Sequence, residues 1–343
     1  MSLERVLVTG GTGVIGAWVV RGLVERGIEP IVFVRGRTNE IGRTINGDID
    51  GRLTWALGDL LDPDALAAAV ERHRPQAIIH MASAKPWQME PPWAAEPDGR
   101  LAIEQIALAT WNVLEVARKA GVKRVVYASS KAVYDDVVGA HAAPDYLPLP
   151  EEYPKLPRML YGIGKLAAEH LGLYYARNYG IEFLGIRFSS AFGPLKRGPT
   201  ATSPDGMFYA ALAGEEVKIR RLGPGERDDF AYNKDIADGF VLAALAGSPR
   251  HHAYNLGSGM GIDHEDLARA ISAVVPGARV SFSDAAAGGA GAAITDRARC
   301  VMDIRRATAD FGYVPRFVPL EAAFTDFLAE ERRMGRQPAA TTA

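Results

Sequence analysis

Three sets of residues in this 343-residue chain combine a reactive side chain or a ligand-accepting backbone with a meaningful spacing. Tyr161-Gly-Ile-Gly-Lys165 puts a phenol and an ammonium four residues apart, which on a helix is one face. A free tyrosine, with a pKa of about 10, is a poor base at neutral pH. A nearby lysine charge, together with the positive ring of an oxidised nicotinamide, would lower that value. The phenol could then take a proton from an alcohol, or return one to a developing alkoxide. A plain surface helix pair is the other reading of this spacing. Ser129 and Ser130 follow the apolar run Arg124–Ala128. A hydroxyl at the carboxyl end of a strand can hold a substrate oxygen against the tyrosine, or simply shape a turn. The third set is Val6-Leu7-Val8-Thr9-Gly10-Gly11-Thr12-Gly13-Val14-Ile15-Gly16. Here an apolar run leads into a glycine-rich turn and then into helical sequence. Gly10, Gly13 and Gly16 would serve the tight turn, the approach of a pyrophosphate and the packing of helix on strand. The phosphate would rest on free N–H groups at the helix start. A turn that binds nothing is the alternative, but the position directly after the first strand favours a dinucleotide.

The elements that must position these residues alternate. Val6–Val8, Ile31–Val34, Leu53–Leu57, Ala77–His80 and Arg124–Ala128 read as strands. Ala17–Arg26, Pro63–Arg72 and Ala102–Ala120 read as helices, with Gly27 and Gly121 at two of their ends. Such alternation predicts an α/β fold: a Rossmann-type, doubly wound parallel sheet that binds ligands at the carboxyl ends of its strands. A further helix is expected from Tyr161 to Asn178, and a strand over Glu182–Phe188. Residues 1–190 form the expected dinucleotide-binding part. From Gly193 the pattern becomes irregular, so residues 191–332 are expected to form mostly a smaller substrate-binding part. Lys85–Asp98, rich in proline and carrying Trp87 and Trp93, reads as a loop near the cleft. Ala285–Ala293 is expected to be a mobile loop, and residues 333–343 a disordered tail.

Composition narrows the function classes. The chain is 48% hydrophobic and 23% charged, ordinary for a globular protein. A net charge of −2 points to neither nucleic acid nor a membrane surface as partner. Cys300 is the only cysteine, so no intrachain disulfide can form. The strand pattern begins within a few residues of Met1 and no apolar run has membrane-spanning length. Together these predict a cytoplasmic protein, and no metal site is read.

Taken with their order and spacing, the motifs resemble the extended short-chain dehydrogenases/reductases of the NAD-dependent epimerase/dehydratase type. The resemblance rests on Thr9–Gly16, Gly58-Asp59-Leu60, His80-Met-Ala-Ser83, Tyr127-Ala-Ser-Ser130, Tyr161-x-x-x-Lys165 and Arg187-Phe-Ser-Ser-Ala-Phe-Gly-Pro194. Arg227–Asp235 and Tyr254–Gly259 extend it. It implies that Thr12, Gly13, Val14 and Ile15 wrap the pyrophosphate, and that Asp59 and Leu60 hold the adenine. Met81, Ala82, Ser83 and Ser129 would line the cofactor. Ser130 would be the catalytic hydroxyl, Tyr161 the acid/base and Lys165 the holder of the nicotinamide ribose. A homodimer through Ala102–Ala120 and Tyr161–Asn178 is also implied. For Asp59 a simple turn role is the alternative.

Several positions depart from that pattern. The second strand ends in Arg35-Gly36-Arg37 rather than in an acid. Guanidinium suits a 2′-phosphate, so Arg35 points to NADP, with NAD as the alternative. Lys131 and Ala132 stand where the family's dehydratases carry Asp and Glu, which argues against dehydration by that route. Ser190 replaces an asparagine that contacts the sugar diphosphate. Arg227 matches a diphosphate-binding arginine, or else pairs with Asp228 or Asp229. Gln105 and Ile106 lie near a position where the family has asparagine. The expected activity is therefore NAD(P)-dependent reversible hydride transfer at a secondary alcohol of a sugar-like substrate, by a dehydrogenase/reductase or an epimerase. A nucleotide-sugar 4-epimerase with tightly bound NAD is one alternative. A non-catalytic cofactor-sensing or scaffold protein is another, disfavoured because Tyr161 and Lys165 are both present.

Overall fold

The computed structural model describes residues 3–37, 39–89, 98–196, 203–220, 226–283 and 299–336. Its centre is a seven-stranded sheet made from β1 (Arg5–Thr9), β2 (Glu29–Val34), β3 (Thr54–Leu57), β4 (Ala77–His80), β5 (Arg124–Ala128), β6 (Glu182–Phe188) and β10 (Ala253–Leu256). The order is β10-β6-β5-β4-β1-β2-β3, and every pairing is parallel. The order reverses between β1 and β4, so the carboxyl ends of these two strands diverge into a crevice. The expected α/β sheet is thus present, with one strand from well beyond residue 190.

Alternation along each strand sorts the side chains into two cores. Val6 and Val8 face the side covered by the helices Val14–Glu25 and Asn233–Leu245, while Leu7 faces the other side. That other side is covered by Pro63–His73, Ala109–Ala120 and Leu160–Tyr179. Beyond the sheet, β7 (Ser190–Phe192) pairs with β9 (Phe230–Tyr232), and β8 (Val217–Arg220) with β11 (Val280–Ser283). A third core, including Phe208, Phe324 and Phe327, lies among the later helices. Under the turn after β5, Val133, Tyr134, Leu149 and Met302 form a fourth.

Two expectations change here. Residues 333–336 are structured where a tail was expected, Arg333 ending the helix Leu320–Arg333. Arg333 reaches back to the Ile45 carbonyl and sits over the Trp18 ring. Residues 337–343 and Ala285–Ala293 lie outside the described residues. Within Lys85–Asp98, Pro86–Met89 form a short helical turn and Met89 is buried; the Trp87 side chain and residues 90–97, including Trp93, are outside the described set.

Candidate active site

The glycine-rich turn uses its three glycines for three different reasons. Gly10 has φ +69°, and a Cβ there would lie 2.6 Å from the Ala82 nitrogen, so β1 and β4 can approach only through glycine. A Cβ on Gly16 would lie 2.2 Å from the Gly10 carbonyl oxygen, inside the helix-on-turn contact. Gly13 is different: its Cβ would meet only the Gly10 oxygen, at 3.3 Å. The face of Gly13 is open to whatever binds there. Gly13 also caps the helix Val14–Glu25 with no side-chain acceptor, and the first turn carries no acid. The amide groups of Val14, Ile15 and Gly16 therefore present an uncompensated positive helix end beside Thr12.

Met81 and Ala82, which Ser83 follows, are held to this turn by a chain of hydrogen bonds. The amides of Met81 and Ala82 both donate to Thr9 Oγ1 at 3.2 Å. Thr9 Oγ1 and His80 Nδ1 are 2.7 Å apart, and His80 Nε2 and Thr110 Oγ1 are 3.2 Å apart. Thr110 in turn donates to the Ile106 carbonyl at 2.6 Å. Thr110 must therefore accept from Nε2–H, and Thr9 must donate to Nδ1, which assigns the His80 tautomer. Burial, with the charge of Lys165, lowers the His80 pKa to about 3. The ring is a neutral strut. The sequence reading assigned no role to Thr9, His80 or Thr110, although the first two end adjacent strands. Ile106, near which a family asparagine was sought, belongs to a π-helical stretch, Ile103–Leu108.

Asp59 accepts from the Leu61 amide at 2.9 Å, and Asn112 donates to the Leu60 carbonyl at 2.7 Å. One oxygen of Asp59 thus shapes the turn after β3. Arg35 is exposed at the end of β2 and makes no ion pair among the described residues. Arg37 is committed elsewhere: it pairs with Asp50 at 3.1 Å and lies over the Trp55 ring at 4.7 Å.

At the carboxyl end of β5 the structure brings together Ser130, Tyr161 and Lys165. Ser130 caps the short turn Lys131–Val133, its Oγ accepting from the Ala132 amide at 3.1 Å, and is hydrogen-bonded to the Tyr161 hydroxyl. The helix Leu160–Tyr179 lies close against this turn because residue 162 is glycine; a Cβ there would be 2.4 Å from the Ala132 oxygen. Lys165, 2% exposed, donates to the Ala128 carbonyl at 2.6 Å, with Nζ 5.5 Å from the Tyr161 ring centre. Burial and the charge of Lys85 lower the Lys165 pKa to about 7. Burial raises the Tyr161 pKa to about 12, against the pull of the Ser130 hydrogen bond. In the protein's own field the phenol keeps its proton, so the expected lowering rests on the positive ring of an oxidised nicotinamide as well as on Lys165.

Ser129, expected to line the cofactor, is fully buried and its hydroxyl donates to Glu169. Glu169 is bound by Arg187 through Nε at 2.9 Å and Nη2 at 2.6 Å. Arg187 Nη1 donates to the Tyr134 hydroxyl and to the Glu151 carbonyl, and Tyr134 donates to Asn255. This buried network ties β5, β6 and β10 together beneath the turn Lys131–Val133.

On the facing side, the Ser190 hydroxyl donates to Asp228 at 2.9 Å. Lys131 Nζ donates to both oxygens of Asp228, at 2.7 and 2.6 Å. Asp229 is caged by the Ser258 and Gly259 amides, the Met302 amide and the hydroxyls of Ser189 and Ser258. Neither aspartate is left for Arg227. Its side chain is 52% exposed, and among the described residues outside Asp228 and Asp229 the carboxylate near it is Asp263, at 4.0 Å. The expected salt-bridge alternative for Arg227 is thereby replaced by an available guanidinium.

Comparison with known proteins agrees with this geometry. Residues 6–257 match the NAD dependent epimerase/dehydratase family. A UDP-glucose 4-epimerase from Erwinia amylovora is 30% identical over 291 residues, covering 78% of this chain and 81% of its own. UDP-glucuronic acid decarboxylase 1 from Xenopus tropicalis is 30% identical over 329 residues, covering 93% and 70%. The structure of Thermotoga maritima UDP-glucose 4-epimerase with UDP-glucose shares the fold, with TM-score 0.77, 24% identity and coverage of 96% and 99%.

Proposed function

Since the chain belongs to the NAD dependent epimerase/dehydratase family, we propose that it performs reversible hydride transfer at a secondary alcohol of a nucleotide sugar. The observation that carries this is the Ser130–Tyr161 hydrogen bond with Lys165 buried behind it. A dinucleotide fits the open face of Gly13 and the uncapped helix end beside it. When bound, it supplies the hydride acceptor and, oxidised, a positive ring. Ser130 orients the reacting oxygen. Tyr161 gives and takes the proton at that oxygen. Lys165, fixed on the Ala128 carbonyl, is placed to hold a ribose hydroxyl. Arg227 and Ser190 stand on the opposite wall for the substrate's diphosphate. Lys131 and Ala132 offer no carboxylate for dehydration.

Residues 1–190 carry the dinucleotide in this reading, and 191–332 mostly carry the substrate. NAD is the cofactor type of the family. The finer reading is that Arg35, exposed and unpaired where an acid would repel a 2′-phosphate, admits NADP. A homodimer is proposed through the two neighbouring helical segments. Ile103, Trp111, Ile163 and Tyr174 are 60%, 43%, 42% and 53% exposed there, an apolar face that a second copy would cover. A cytoplasmic site fits the single cysteine. No described helix is long and apolar enough to cross a membrane.

The test is to incubate the purified protein with UDP-glucose or UDP-glucuronate and either dinucleotide, following nicotinamide absorbance and sugar products. Epimer formation with cofactor retained marks an epimerase, and accumulation of reduced cofactor marks a dehydrogenase. Neither outcome with any nucleotide sugar would refute the proposal. A monomer mass in light scattering at micromolar concentration would refute the dimer.

A further inference from the structure

Lys131 is not absorbed by the mechanism above, yet it follows Ser130 directly and its ammonium is held in place. Two of its three N–H groups go to Asp228, which is itself fixed by Ser190 and by a backbone bridge to Ile262. Both side chains are largely buried, at 16% and 13% exposure. The clasp therefore spans the cleft between the wall that holds the reacting oxygen and the wall that carries Arg227. One N–H of Lys131 remains without a partner among the described residues.

The charges around it do not balance. Electrostatic interaction links Lys131 to Lys196, Lys196 to Lys85 and Lys85 to Lys165 in a chain. Among the described residues, neither Lys85 nor Lys196 has a carboxylate at ion-pair distance; Lys196 donates to the Ala191 carbonyl. Desolvation by the surrounding chain and the charge of Lys196 pull the Lys85 amine below its ordinary range, although its side chain keeps contact with solvent. Burial does the same to Lys196, where Asp205 opposes it and Lys131 adds to it. Mutually repelling, partly desolvated ammoniums are unfavourable by themselves, and an anion among them relieves the cost.

Resting on the nucleotide-sugar reading, we infer that Lys131 is a specificity residue that selects a sugar carrying a carboxylate near the reacting carbon. The ammonium, pinned by two bonds to Asp228 beside Ser130, presents its third N–H to that carboxylate. Lys85 and Lys196 keep the surroundings positive. A diphosphate is the other anion this chemistry could hold. It differs in place, since Arg227 marks the far wall while Lys131 adjoins the catalytic hydroxyl.

The experiment measures kcat/KM for UDP-glucuronate and UDP-glucose, and the Kd of UDP, in the full-length protein. Wild type should favour UDP-glucuronate about tenfold or more, the range of a charge-assisted hydrogen bond. Lys131→Met should collapse that ratio toward one without weakening UDP, and Lys131→Arg should retain most of it. The double variant Lys131→Met/Asp228→Asn removes the pair together, so no unpaired carboxylate complicates folding; it should show the same collapse. A wild-type ratio near one refutes the inference. So does a ratio preserved in Lys131→Met while both rates fall, which would mark a structural strut, and so does an equal loss of UDP affinity, which would assign Lys131 to the diphosphate. If UDP-glucose is turned over in any of these cases, the hydride-transfer reading stands. If no nucleotide sugar is turned over, that reading falls and this inference falls with it.

Discussion

Adjacent serines at the end of β5 make the sharpest test, because their surroundings are opposite. Ser130→Ala removes the hydroxyl bonded to Tyr161. It also removes the cap on the Ala132 amide at 3.1 Å. Loss of one donor aimed at a reacting oxygen typically lowers kcat by about 10²–10³, or about 2.7–4 kcal/mol. The lost cap of a three-residue turn destabilises the fold by about 1 kcal/mol. Ser129→Ala does the reverse. Its hydroxyl is fully buried against Glu169, which keeps both bonds from Arg187. The carboxylate stays paired, so the expected loss is about 1–3 kcal/mol of stability, with kcat within a few-fold of wild type. Urea midpoints and steady-state rates on both variants separate the two effects. If Ser129→Ala abolished turnover at unchanged stability while Ser130→Ala turned over normally, the assignment of the catalytic hydroxyl would be wrong.

Tyr161→Phe should lower kcat by about 10²–10⁴ while dinucleotide affinity, read by fluorescence titration, stays near wild type. Retention of more than about a tenth of the activity would exclude Tyr161 as the proton carrier. Arg35→Asp should shift preference from NADP toward NAD by at least tenfold, about 1.4 kcal/mol; equal affinities before and after would mark Arg35 as a solvated loop residue. The third concerns pH. His80 is neutral in the fold, with its pKa lowered from 6.5 to about 3, so between those values the unfolded chain binds the extra proton. Stability from this group is full above about 6.5 and is lost as pH falls toward 3. The urea midpoint of wild type should therefore drop from pH 7 to pH 4.5 more steeply than that of His80→Gln, and parallel profiles would contradict the neutral strut.

What the sequence determined by itself was local. The strand-turn-helix at Val6–Glu25 is legible because glycine positions and apolar runs act within a few residues. Tyr161 and Lys165 share a face because 3.6 residues make a turn of helix. Both signals are independent of the rest of the chain. The tertiary structure decided everything set by contacts distant in sequence. The motif told Ser129 from Ser130, but not that the Ser129 hydroxyl would be buried against Glu169, forty residues on. Lys131 looked like a missing carboxylate until Asp228, ninety-seven residues away, held it across the cleft. Arg227 became available only because Lys131 and the Ser258–Gly259 amides had already taken the neighbouring aspartates. The seventh strand, Ala253–Leu256, joins β6 because its hydrophobic face completes a core that no local pattern announces. Even the chemistry of Tyr161 changed on folding. Its spacing to Lys165, together with an oxidised nicotinamide, promised a lowered pKa, but spacing carries no information about desolvation. Burial raises the phenol and pulls the lysine down to about 7, where it keeps part of its charge at neutral pH, and only packing in three dimensions sets how much water each group keeps.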